Sequence, residues 1–143
     1  MVSKKFYFGR NSQLNMIDLA PQTIELIHKA LVVSDYDFSI IDGFRTVEDQ
    51  QKVFNDNKSE LDGIIKKSAH QSGLAIDILP YVRDRSGAMM NMYNYEDPKV
   101  KLVWYEVHRA FLRAARLLGY NIELGLTYII DGKFDYPHVQ IND

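Results

Sequence analysis

The chain has 143 residues, 46% apolar and 25% charged, a composition that predicts one soluble globular domain spanning 1–143 around a single core. Seventeen basic against nineteen acidic residues leave a formal charge of −2, without the basic excess that nucleic-acid binding uses, so no nucleic-acid partner is expected. No cysteine is present, which excludes disulfides, thiolate metal sites and cysteine nucleophiles.

Met1-Val2-Ser3-Lys4-Lys5 is followed by no long apolar run or small-residue cleavage site, so no signal peptide is expected. No stretch approaches the roughly 20 apolar residues of a membrane span. From Pro21, Ile24, Ile27 and Leu31 keep helical spacing, with Glu25 and Lys29 on another face. Phe38-Ser39-Ile40-Ile41 reads as a short strand ending at Gly43. Thr46 is placed to cap a helix running through Gln50 and Phe54, with Asp49 at its third position. Residues 55–67 are polar and read as a loop or broken helix.

Leu74, Ile76 and Ile78 alternate with Ala75 and Asp77, the period of a strand with one buried face. Arg83-Asp84-Arg85-Ser86-Gly87 is a turn, and the Met89-Met90-Asn91-Met92 run reads as core or loop rather than as a ligand cluster. Asp97 as N-cap, Pro98 at the first position and Gly119 at the exit bracket a helix. Its apolar stripe runs from Val100 through Val103, Trp104, Val107, Phe111 and Ala114 to Leu118, and Arg109, Arg113 and Arg116 lie on a solvated face. Ile122 to Ile130 has strand composition, Asp131-Gly132 is a hairpin turn, and Val139 and Ile141 alternate with His138 and Gln140. No repeat or linker divides the chain. The order of elements predicts an α+β fold, a small antiparallel sheet flanked by helices.

Chemistry concentrates in Ser68-Ala69-His70-Gln71-Ser72-Gly73-Leu74-Ala75-Ile76-Asp77 and in Asp135-Tyr136-Pro137-His138. His70, Asp77 and His138 make two imidazoles and a carboxylate, the ligand set of a catalytic zinc site with a fourth position for water. The same donors also suit manganese, nickel or cobalt. Gly73 would let the backbone turn between His70 and Asp77. Bound zinc lowers the pKa of its water to about 7. Asp135, three residues before the last ligand, is the candidate general base and then general acid. Arg45 is a candidate for holding a substrate carboxylate or the tetrahedral oxyanion. His28 and His108 fall within helices and are read as structural.

The pattern Ser-x-His, then Asp seven residues after the histidine, then an acidic residue three before a late histidine, resembles the D-alanyl-D-alanine carboxypeptidase family of zinc peptidases. That family shares its zinc-site architecture with hedgehog-type and lysostaphin-type domains. The short length and Asp-x-Pro-His ending are most similar to its phage endolysin branch, L-alanyl-D-glutamate peptidases that cut the peptidoglycan stem peptide. Phe8-Gly9-Arg10-Asn11-Ser12, Leu19-Ala20-Pro21 and Gly43-Phe44-Arg45-Thr46 with Gln50 and Gln51 extend the resemblance over most of residues 8–141. It implies His70, Asp77 and His138 as ligands of Zn²⁺, Asp135 as the acid/base, Arg45 as electrostatic stabiliser and Ser68 as a substrate contact. Many relatives carry a Trp-Gly-Gly-x-Trp-like segment before the last ligand; here it is Glu123-Leu124-Gly125-Leu126-Thr127-Tyr128, without either tryptophan.

The resemblance implies an endolysin that acts on bacterial peptidoglycan during host lysis. It would be a monomer that waits in the host cytoplasm until a separate release factor such as a holin admits it to the wall. No separate wall-binding module is expected. Two alternatives compete: a D,D-carboxypeptidase or D-Ala-D-Ala dipeptidase using the same chemistry, and a non-catalytic zinc domain that binds wall peptide. The last predicts loss of the acid/base residue, and Asp135 is present.

Overall fold

The computed structural model describes residues 6–125, 129–130 and 133–142. Among these, the chain forms helices α1 (Arg10–Asn15), α2 (Pro21–Val33), α3 (Val47–Asn55) and α4 (Pro98–Leu118). The strands are β1 (Asp37–Asp42), β2 (Ala75–Tyr81), β3 (Asn121–Leu124), β4 (Ile129–Ile130), β5 (Lys133–Phe134) and β6 (His138–Asn142). Capping chemistry sets two of the helix starts. Thr46 accepts the Asp49 N–H at 3.1 Å while the Asp49 carboxylate takes the Thr46 N–H, the reciprocal box that opens α3. Asp97 accepts the Lys99 N–H at 2.9 Å ahead of Pro98, and Gly119, at φ +78°, closes α4 in the left-handed region.

The main sheet has the order β1-β2-β6-β3, and every neighbouring pair is antiparallel. Strand alternation gives it two unlike faces. On one, the paired rows Ile40↔Ile78 and Ile76↔Val139↔Leu124 are buried, in a core with Leu26, Ile27, Trp104, Val107 and Phe111 of α2 and α4. On the other, Asp42↔Asp77↔His138 and Ala75↔Gln140↔Glu123 run side by side across the strands. A register shift between Ile40 and Asp42 brings the Asp42 position opposite Asp77.

α1 is an element the sequence reading did not contain, because six residues starting at an uncapped Gly9 carry too little period to register. Its polar side chains cover the edge strand: Ile40 N–H donates to Ser12 Oγ at 3.0 Å, and Asn15 Nδ2 donates to the Ile40 carbonyl at 2.9 Å. A second departure concerns Ile122 to Ile130. Strand β3 leaves the main sheet after Leu124, and Ile129–Ile130 pair instead with Lys133–Phe134 in a separate ribbon. The break falls at Gly125, whose carbonyl accepts from Asp135 N at 3.1 Å and so turns the backbone toward the loop before β6. Leu126 to Tyr128 and the expected Asp131-Gly132 turn lie outside the described residues.

Candidate functional site

The polar face of the sheet collects the predicted ligands. Asp77 and His138 are directly opposed on β2 and β6, and His70 comes from the 3₁₀ turn Ala69–Ser72 that leads into β2. Ser68 caps that turn by accepting the His70 N–H at 3.1 Å, while Gln71 reaches back to the Ser68 N–H. Gly73 ends it at φ +72°, and a Cβ there would lie 2.7 Å from Ala20 N, so both conformation and space require glycine. The Gly73 carbonyl accepts from Thr23 Oγ1 at 2.7 Å, which fastens the turn to α2.

His70 Nε2 lies 3.6 Å and His138 Nδ1 3.5 Å from Asp77 Oδ1, and the three donor atoms lie within 4.8 Å of one another. Ligands about 2.1 Å from a tetrahedral zinc sit about 3.4 Å apart, so the donor spacing fits such an ion. Tautomers agree with this. His70 Nδ1 is bonded to the Gly43 carbonyl at 2.8 Å, which turns Nε2 toward Asp77. His138 uses the opposite nitrogen: Nε2 is bonded to Gln140 Oε1 at 2.7 Å, and Gln140 Nε2 donates to Asn142 Oδ1 at 2.8 Å. His138, Gln140 and Asn142 thus form a line along one face of β6. Burial opposes charge on Asp77, but hydrogen bonds from His138 and His70 outweigh it and hold the carboxyl well below the usual range. Among the described residues this is a buried group able to bind a metal ion.

Arg45 is packed beside the ligands by three partners. Its Nε and NH2 donate to Asp42 Oδ2 at 2.8 and 2.6 Å, and NH1 donates to Gln50 Oε1 at 3.0 Å. NH2 also lies 3.5 Å from Asp77 Oδ2. The guanidinium therefore sits between two carboxylates in a fixed orientation. Gln50 is fully buried, and its amide nitrogen donates to Ser59 Oγ and the Leu61 carbonyl at 3.0 and 2.8 Å. One glutamine thus ties Arg45 to residues 58–61.

Asp135 faces the same cleft, of about 570 Å³, as Arg45, Ser68 and the three ligand candidates. Burial pushes its carboxyl above the usual range, and the nearby Asp77 charge adds to that rise. Its position is set by its neighbour Tyr136, which is buried and stacks on Tyr95 with centroids 4.3 Å apart and planes within 7°. His108 Nε2 donates to the Tyr136 carbonyl at 2.8 Å. His108, assigned to a helix and a structural role from sequence, is buried on α4 and holds the loop that carries Asp135 and His138. His28 contacts the Phe8 ring edge-on, away from the cleft. Met92 is core, whereas Met89 is exposed.

Asp42, Gln50, Glu123, Gln140 and the 58–61 strap are site residues that sequence reasoning missed. Strand alternation from His138 could have flagged Gln140. Asp42 and Gln50 act behind the cleft by holding Arg45, and the strap lines it through the Gln50 amide, contacts that no hydrophobic period or capping pattern signals.

Comparison with known proteins agrees with this architecture. The chain is 29% identical over 146 residues to an L-alanyl-D-glutamate peptidase of Escherichia phage T5, covering 95% of this chain and 98% of that one. Its fold is that of the Serratia marcescens L-Ala D-Glu endopeptidase ChiX, with TM-score 0.71, 22% identity, and 95% of this chain and 90% of that chain covered. A model of the phage L-alanyl-D-glutamate peptidase family matches residues 4–141, nearly the whole chain, and the protein belongs to that family.

Proposed function

We propose that the protein is a zinc-dependent endolysin whose cleft cuts the L-alanyl-D-glutamate bond of peptidoglycan, with His70, Asp77 and His138 holding the ion. Family membership gives the peptidase activity. The zinc reading rests above all on the opposed pair Asp77 and His138, joined by His70 at spacings that suit a tetrahedral ion. Bound zinc supplies Lewis acidity toward the scissile carbonyl and makes water acidic enough to lose a proton near neutral pH.

The chain's own residues do the rest. Asp135, in the same cleft and with its carboxyl raised, takes the proton of the attacking water and passes it to the departing D-glutamyl amine. A raised carboxyl pKa brings a general acid/base closer to working pH. Arg45, held by Asp42 and Gln50, presents a fixed positive charge toward the developing oxyanion without reorganising during the reaction. Ser68 lines the cleft while capping the His70 turn, so any substrate contact comes through a hydroxyl already fixed by backbone.

The same reading makes the chain a single peptidase domain, monomeric, that reaches the wall at lysis through a separate release factor such as a holin. Among the described residues no helix is long and apolar enough to cross a membrane, which fits release by another factor. The test is digestion of purified peptidoglycan by zinc-loaded protein, with new termini identified by mass spectrometry. New N-terminal D-glutamate is expected. Released D-alanine would instead support a carboxypeptidase, and zinc binding without cleavage would support a wall-binding domain. Asp135→Asn is expected to bind zinc and lose at least about 10²-fold in kcat; full activity would remove Asp135 from the mechanism.

A further inference from the structure

An L-alanyl-D-glutamate bond leaves the cleaved residue's glutamyl group with two carboxyl functions, and only one is needed to continue a peptide. The substrate therefore brings a carboxylate close to the scissile amide. The cleft it enters is already rich in negative charge, with Glu60, Asp77, Glu123 and Asp135 in its lining. A second carboxylate would be repelled unless a cation met it. Arg45 is already assigned to the oxyanion and partly balanced: Asp42 binds its Nε and NH2, and Asp77 Oδ2 lies 3.5 Å from the same NH2, so two acids already face its one charge.

Lys58 is the other basic side chain of the cleft lining, apart from the histidines. It forms no ion pair with any described residue, and it is exposed at the rim. Its backbone is nevertheless fixed. The Lys58 N–H donates to the Val53 carbonyl at 2.9 Å, closing the end of α3, and Asn57 before it takes the left-handed conformation at φ +60°. Immediately after it, Gln50 clamps Ser59 Oγ and the Leu61 carbonyl. An exposed ammonium thus stands on a hydrogen-bonded wall, and the glutamine that fixes the wall also orients Arg45.

From this we infer that Lys58 receives the free carboxylate of the substrate's D-glutamyl residue and selects substrates that carry it. The assignment rests on the proposed peptidase function of the cleft and adds the group that recognises the residue on the leaving side. Lys58 acts in binding, so its contribution falls on KM and not on kcat. An exposed ion pair is worth up to about 1 kcal/mol, or about 5-fold in affinity.

The experiment uses two synthetic stem peptides that differ at one position, L-alanyl-D-glutamate and its counterpart with that free carboxyl amidated, each cut by wild type, Lys58→Met and Lys58→Arg. Wild type is expected to show the lower KM for the acid. Lys58→Met should raise that KM about 5-fold, leave kcat within 2-fold and leave the amide's KM unchanged, while Lys58→Arg restores selectivity. Equal effects of Lys58→Met on both peptides, or none on either, would overturn the assignment while leaving the peptidase reading intact. Failure of wild type to cut either peptide would overturn that reading, and the subsite with it.

Discussion

Gly125→Ala is the sharpest test of how the cleft is built. A Cβ on Gly125 would lie 1.6 Å from the Asp135 carbonyl oxygen and 2.6 Å from its carbon. Both are backbone atoms that no rotamer change can move aside. Restoring ordinary contact at about 3.4 Å requires the two segments to separate by about 1.8 Å, and the Asp135 N–H bond to the Gly125 carbonyl, now 3.1 Å, would stretch with them. Tyr136 is held from the other side by Tyr95 and His108, so the strain falls on Asp135. Misplacing a reacting group by about 1 Å costs about 10²-fold. The substitution should therefore lower kcat at least about 10²-fold, equivalent to about 2.7 kcal/mol of barrier. His70 and Asp77 sit on another segment, but His138 donates its N–H to the displaced Asp135 carbonyl at 3.1 Å, so metal affinity should fall together with activity. The assay is single-turnover cleavage of a stem peptide beside metal analysis and thermal unfolding, with Gly9→Ala as control because nothing lies within 4 Å of a Cβ there. A folded Gly125→Ala protein with kcat within 3-fold of wild type would refute both the tightness of this contact and the role given to Asp135.

Three further outcomes follow from the geometry. Gln140→Leu removes the partner of His138 Nε2 and should weaken zinc affinity about 10- to 100-fold, measured by competition with a chromophoric chelator, with Gln140→Glu retaining it. Chelator-treated protein should lose cleavage and regain it with zinc; zinc at about 100 times its Kd stabilises by about 2.7 kcal/mol, which raises Tm by about 5–10 °C for a chain of this size. Burial pushes the His108 imidazole down to about 4 from its ordinary 6.5, so below pH 6.5 the unfolded chain binds a proton there that the folded chain refuses. That contribution to stability is therefore intact above pH 6.5 and declines toward pH 4, by up to about 3 kcal/mol in all, and urea unfolding should show a flatter pH profile over this range for His108→Gln than for wild type.

Much of this arrangement could be read from local sequence because local rules governed it. Thr46 with Asp49, Asp97 with Pro98 and the Gly119 exit each act within one helical turn, and the structure has them as expected. The alternation around Asp77 predicted both a strand and the separation of that residue from the core. Arg45 was visible as a candidate, but its restraint by Asp42 and Gln50 was not, since the bulge that brings Asp42 opposite Asp77 depends on the pairing of β1 with β2. The strap at 58–61 read as polar loop, and its place in the cleft depends on one buried amide from α3. Residues 122–130 looked like one strand because composition reports β preference, whereas the Gly125–Asp135 contact decides where pairing stops.

β6 lies inside the sheet, between β2 and β3, and it brings the last member of the ligand set. A growing polypeptide released only as far as residue 125 would hold His70 and Asp77 with no partner strand between β2 and β3. On the proposed ligand set, neither the metal site nor the cleft is complete until β6 lies between β2 and β3. Placing β6 there also buries Val139 and Ile141, and an ion bound by His70, Asp77 and His138 would further favour the closed sheet. On that reading, catalytic competence requires the completed sheet.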